Sequence, residues 1–156
     1  MFAHNYGTIR DRGVEIRSPI DSPHPAEVEF GFKSLSDHQQ TILGQLPGYG
    51  SRIVIKKRDV SMMDLSALTA ETGDEFAMFT RKGERLIIRG DAEQIPLYEN
   101  DIIKLRDEGY RWSGHTHPGI TDADLIASQG DKDALRLFGQ DNSVIYNAAG
   151  RHGFIK

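Results

Sequence analysis

His115 and His117 stand two residues apart between Gly114 and Pro118. In an extended segment, residues i and i+2 project to the same face, so both imidazoles can address one ion. Imidazole nitrogen is a good ligand for Zn²⁺ at about 2.0–2.1 Å. Gly114 is expected to let the backbone pass close to the site, and Pro118 to end the strand there. A third ligand should be a carboxylate carried by another element. Asp131, three residues after Ser128, falls on the first turn of the following helix. With three protein ligands, a catalytic zinc site keeps its fourth position for water. Each half of this constellation has a plainer reading too. A bare His-x-His is also found where partly buried histidines are satisfied by hydrogen bonds. Ser-x-x-Asp is also a helix start, with serine as N-cap and an acid in the first turn. The readings are compatible, because one carboxylate oxygen can serve a metal while Ser128 caps.

Composition narrows the alternatives. The chain has 156 residues, 38% hydrophobic and 27% charged, enough for one domain with one core. It has no cysteine, which excludes a disulfide framework, thiolate zinc fingers, iron–sulfur clusters, a cysteine nucleophile and the zinc deaminases. Apolar runs such as Leu86-Ile87-Ile88 fall far short of the ~20 residues that span a bilayer, so no membrane partner is expected. Met1 to Arg12 holds no apolar stretch of secretory-signal type. A net charge of −4 argues against binding a nucleic-acid backbone.

The elements that must position the histidines can be read from the punctuation. Residues 1–34 carry Pro19, Pro23 and Pro25 among Ser, Asp and His, which predicts a linker or a loosely docked arm. Val28, Phe30 and Phe32 alternate there and could add an edge strand. Residues 35–156 form the domain proper. Ser36 with Gln39 makes a capping box for a first helix, stopped at Pro47-Gly48. Arg52 to Lys57 predicts a strand, and Ser61 caps a second helix closed by Gly73. Glu75 to Thr80 and Glu84 to Arg89 predict a hairpin, followed by a helix over Asn100 to Glu108. Tyr110 to Ser113 predicts the strand that leads into the histidines, and Ser128 opens a fourth helix. Short strands at Ser143 to Asn147 and Gly153 to Ile155 close the chain. Four helices among about six strands predict a mixed α/β layer fold. Tyr110 and Trp112 read as core or pocket wall, His152 as an exposed turn residue, and Lys56-Lys57-Arg58 as a solvated strand end.

Gly-His-Thr-His-Pro followed by Ser-x-x-Asp at a helix start resembles the JAMM motif of the JAB/MPN metalloprotease family. The resemblance implies a curved mixed β-sheet wrapped by helices, of cytidine-deaminase-like, JAB/MPN type. It implies His115, His117 and Asp131 as zinc ligands and Ser128 as the residue supporting the tetrahedral intermediate. It further implies an upstream glutamate acting on the zinc-bound water. That glutamate sits at the start of a strand just after a helix, which Glu75 matches, with Glu71 as a rival. The implied activity is zinc-dependent cleavage of a peptide or isopeptide bond in a protein substrate. The chain departs from the pattern in one place. The family carries a shorter link between its second histidine and its serine than the ten residues Pro118 to Ala127 here. The surplus is expected to bulge out as a surface loop, and Asp124 and Asp122 stand as alternative third ligands. RadC-type relatives share the pattern and are associated with DNA, so a nucleic-acid or other non-protein substrate is one alternative. A non-catalytic MPN-like binding module is another.

Ala67 to Phe79 and Phe138 to Asn147 look like C-terminal domains of bacterial polymorphic toxins, the Rhs and contact-dependent inhibition type. That resemblance implies a module cut from a larger secreted protein, delivered to act in the cytoplasm of a target cell and met there by a cognate immunity protein.

Overall fold

The structure, a computed structural model, describes residues 34–156. The expected arm and its strand at Val28, Phe30 and Phe32 lie outside the described residues. The elements run α1 (Asp37–Gly44), β1 (Arg52–Lys56), a 3-10 turn (Lys57–Asp59), α2 (Met62–Thr72), β2 (Phe76–Arg81) and β3 (Glu84–Arg89). They continue with α3 (Glu99–Asp107), β4 (Arg111–Thr116), a second 3-10 turn (Asp122–Leu125), α4 (Gln129–Phe138), β5 (Asn142–Asn147) and β6 (Gly150–Ile155).

The caps fall where polar side chains can satisfy the first N–H groups of a helix. Ser36, Ser61 and Ser128 each cap a helix in a reciprocal capping box, and Gly73 closes α2 in the left-handed conformation at φ +79°. Two strands are longer than expected. β4 runs on to Thr116 because it pairs with β2 as far as Ala77↔His115 and with β5 as far as Thr116↔Tyr146. β6 begins at Gly150 because its ladder with β5 extends from Asn142↔Ile155 to Asn147↔Gly150. The helix expected over Asn100 to Glu108 is shifted one residue back, since the Asp101 carboxylate accepts the Tyr98 N–H at 2.9 Å and fixes the start there.

The six strands form one sheet in the order β1-β3-β2-β4-β5-β6, antiparallel except for the parallel pair β4–β5. β2 and β3 are interior strands, and their apolar runs serve both faces because side chains alternate along a strand. Phe76, Met78 and Ile87 pack with Ile42, Leu46, Leu65 and Leu68, which puts α1 and α2 on one face. Ala77, Phe79, Leu86 and Ile88 pack with Ile102, Leu105, Leu135 and Phe138, which puts α3 and α4 on the other. The molecule is therefore a mixed α/β, helix–sheet–helix sandwich with four helices among the described residues.

Gly114 is explained by this layering and not by the histidines. A Cβ there would lie 3.0 Å from the Val144 carbonyl oxygen and 3.2 Å from Met62 Sδ, so the glycine admits the start of α2 onto the face opposite His115. One residue later in the ladder, the β2–β4 register slips between Met78 and Phe79, pairing Met78 with Gly114 but Phe79 with Trp112. This β-bulge lets Trp112 and His115, three residues apart, point to the same face.

Candidate metal centre

The α4 side of the sheet gathers the residues that could do chemistry. β4 presents His115 and leads straight into His117, while α4 brings Asp131 in from its first turn. His115 Nε2 lies 3.1 Å from His117 Nε2 and 3.3 Å from Asp131 Oδ1, and His117 Nε2 lies 3.5 Å from Asp131 Oδ2. All three residues are buried, and their ligand atoms lie within 4.8 Å of one another. The triad could hold a metal ion.

Helix α4 positions the carboxylate through its own cap. Asp131 Oδ2 accepts the Ser128 N–H at 3.1 Å, and Ser128 Oγ accepts the Asp131 N–H at the same distance. The helix cap and the acidic ligand position are thus one feature. Ser128 keeps its hydroxyl proton available as a donor, since its oxygen is the accepting atom in the cap.

The ten-residue link between His117 and Ser128 runs along the surface as expected, with Ile120 to Ala123 and Ile126 exposed. It folds into the second 3-10 turn, and Leu125 from that turn is buried in the same cluster as Ile145 and Phe154. Asp124 is no ligand to the triad. Its Oδ2 accepts from Thr121 N and Oγ1 at 3.1 and 2.8 Å, and its carbonyl oxygen lies 2.8 Å from His117 Nδ1. A carbonyl only accepts, so His117 Nδ1 carries the proton and Nε2 presents its lone pair to the triad. Asp122 is exposed. The signal missed in the sequence was Thr-x-x-Asp at 121–124, a capping box of the same form as Ser-x-x-Asp.

Burial sets the charge state. It pushes His115 down to about 4, although the Asp131 carboxylate beside it pulls the other way. For Asp131, burial alone would raise the pKa, but the adjacent His115 imidazole outweighs it and holds the carboxyl well below its ordinary value. At neutral pH, His115 is therefore neutral beside an ionised carboxylate, the deprotonated form that metal ligands require. His115 Nδ1 is buried with no hydrogen-bond partner among the described residues, and its ring stacks on Trp112 with centroids 5.0 Å apart.

Glu75 lies just before β2 and is buried, at 2% exposure. Glu75 stands two residues before Ala77, the β2 residue that pairs with His115, and next to Phe76, whose N–H donates to Thr116 Oγ1 at 2.9 Å. Its backbone is fixed on the other side, where Glu75 N–H donates to the Asp91 carbonyl and Gly90 N–H donates to the Glu75 carbonyl, each at 2.8 Å. Glu71 is exposed at the end of α2, the helix on the opposite face. His152 is exposed as expected, but within β6 and not in a turn, paired with Ile145. Tyr110 and Trp112 are buried, and Lys56, Lys57 and Arg58 are exposed. No described helix is long and apolar enough to cross a membrane. The chain has no match among family models, among curated proteins or among solved structures.

Proposed function

We propose that the domain is a zinc-dependent hydrolase of JAMM type, with a fold of the JAB/MPN kind, cleaving a peptide or isopeptide bond. The observation that carries this reading is the convergence of His115, His117 and Asp131 from two elements onto donor separations of 3.1, 3.3 and 3.5 Å. Ligand atoms of a tetrahedral zinc with bonds of about 2.0–2.2 Å stand roughly 3.3–3.6 Å apart. Two imidazoles and one carboxylate also suit a non-haem iron site. The buried Glu75, two residues before the β2 position that pairs with His115, supports hydrolysis, which needs a carboxylate near the metal to move a proton.

When bound, zinc would supply Lewis acidity, polarising the scissile carbonyl and lowering the pKa of a coordinated water. His115, His117 and Asp131 would hold it. Glu75 takes the proton of the attacking nucleophile and returns it to the departing nitrogen. The Ser128 hydroxyl donates to the oxyanion as it develops, worth about 3 kcal/mol in the transition state by analogy with other oxyanion donors. The burial of the triad strengthens each of these interactions by excluding water.

In the same reading, the domain is the effector end of a bacterial polymorphic toxin, delivered into a target cell where it meets a protein substrate and a cognate immunity protein. The test is hydrolysis of peptide- and isopeptide-linked substrates by the zinc-loaded chain, with the Glu75→Gln variant alongside. Cleavage that a chelator abolishes and Glu75→Gln loses is the expected result. Chelator-insensitive cleavage, or full activity in Glu75→Gln, would remove the mechanism.

A further inference from the structure

The link from His117 to Ser128 is built more tightly than a connection needs to be. Gly119 sits at φ +109°, and a Cβ on it would lie 2.3 Å from Asp124 Oδ2 and 2.4 Å from Asp124 Cγ. The carboxylate therefore rests directly against the glycine backbone while accepting both donors of Thr121. On the next strand, Asn147 Nδ2 donates to the Thr121 carbonyl at 3.1 Å, and Leu125 anchors the far end of the turn in the core. His117 itself is tied to β5 by its N–H on the Tyr146 carbonyl at 3.0 Å. The turn is thus held from three directions, and the group it presents to the triad is one carbonyl, that of Asp124, on His117 Nδ1 at 2.8 Å.

We infer that Asp124 is the positioning residue of the metal centre: its carboxylate fixes the 3-10 turn whose carbonyl locks His117 in the Nδ1–H tautomer, so that the second imidazole is set for a metal before one arrives. The inference rests on the zinc reading for its consequence but not for its geometry. A metal-bound imidazole takes its orientation and tautomer from the partner of its other nitrogen, and loss of such partners costs 10- to 100-fold in affinity. For His117 that partner is a backbone atom, which no substitution can delete. Control passes to the side chain that holds the backbone in place. His115 has no equivalent hydrogen bond among the described residues, and Trp112 orients it by stacking instead. The two ligands are positioned by different means, and only His117 depends on the link.

Two variants separate the roles. Asp124→Ala removes the acceptor, whereas Asp124→Asn keeps an oxygen for the Thr121 N–H. Two readouts are needed. One is the ring-nitrogen NMR pattern of His117 in the metal-free protein, and the other is zinc affinity by competition with a chromophoric chelator. The wild-type chain should show His117 as a single Nδ1–H tautomer. Asp124→Ala should show a mixture and bind zinc about 10- to 100-fold more weakly, while Asp124→Asn restores both to near wild type. If Asp124→Ala loses global structure, Thr121→Val, which removes a single hydroxyl donor to the same carboxylate, takes its place with the same readouts and a smaller shift in the same direction. A wild-type tautomer mixture, or an unchanged tautomer and affinity in a folded Asp124→Ala, overturns the inference. Should the wild-type chain bind no zinc while the tautomer behaves as described, the hydrolase reading fails and the positioning role stands.

Discussion

Trp112 lies under His115, ring on ring, with centroids 5.0 Å apart and planes inclined by 26°. They share a face only because the β2–β4 register slips by one residue between them. Trp112 also meets Phe138 of α4 and Phe154 of β6, so one indole joins the triad of His115, His117 and Asp131 to the core beneath it. It is the chain's single tryptophan. Zinc binding should therefore change the intrinsic fluorescence in proportion to occupancy, and an emission spectrum blind to saturating zinc would contradict this coupling. Trp112→Ala should cost about 3–5 kcal/mol of stability in urea unfolding, the range for a large buried aromatic.

The second expectation concerns Gly114. Gly114→Ala puts a methyl group 3.0 Å from the Val144 backbone carbonyl oxygen and 3.2 Å from Met62 Sδ, so the neighbours must shift to admit it. Overpacking of this kind costs about 1–3 kcal/mol. Because the clash lies on the face away from His115, zinc affinity should change less than threefold. A variant as stable as wild type, or one that folds normally but loses zinc, would return the glycine to the site.

Much of this was legible in the sequence. The serines at 36, 61 and 128 mark helix starts because a cap needs a short side-chain oxygen at a defined offset, and that offset is local. His115, His117 and Asp131 were readable as a set from residue type and spacing. What the sequence hid is non-local. The role of Gly114 depends on Met62, fifty-two residues away. The bulge that turns Trp112 toward His115 depends on β2. The 118–127 link read as surplus length because its one buried side chain, Leu125, looks like any lone apolar residue until β5 and β6 are placed beside it.

The pH dependence of the metal-free protein follows from His115. Its pKa falls from an ordinary 6.5 to about 4 on burial. Between those values the unfolded chain binds a proton that the folded chain rejects, so stability declines as pH drops through that window. The full difference, about 3 kcal/mol, is reached near pH 4 and absent above about pH 7. Asp131, also lowered by folding, adds a further loss in the same direction below its ordinary value of 3.8. Urea unfolding of metal-free protein across the window measures this. His115→Phe should flatten the slope between 6.5 and 4, and an unaltered slope in that variant would place the titration elsewhere.

Ser128 separates structure from chemistry. Ser128→Ala removes the N-cap acceptor for Asp131 N–H and should cost about 1 kcal/mol. It leaves the Ser128 N–H on Asp131 Oδ2, so zinc should still bind, while turnover falls by about 100-fold or more for want of the oxyanion donor. Equal losses in binding and turnover would make Ser128 a cap and nothing else.

The most direct measurement is the zinc stoichiometry and affinity of purified protein by calorimetry with metal analysis, run beside His117→Ala and Asp131→Ala. One tightly held equivalent in the wild-type chain, absent from both variants while their folds persist, is what three converging ligands require. A wild-type chain that takes up no zinc, or variants that bind it as well as wild type does, would contradict the metal centre and the hydrolase built on it.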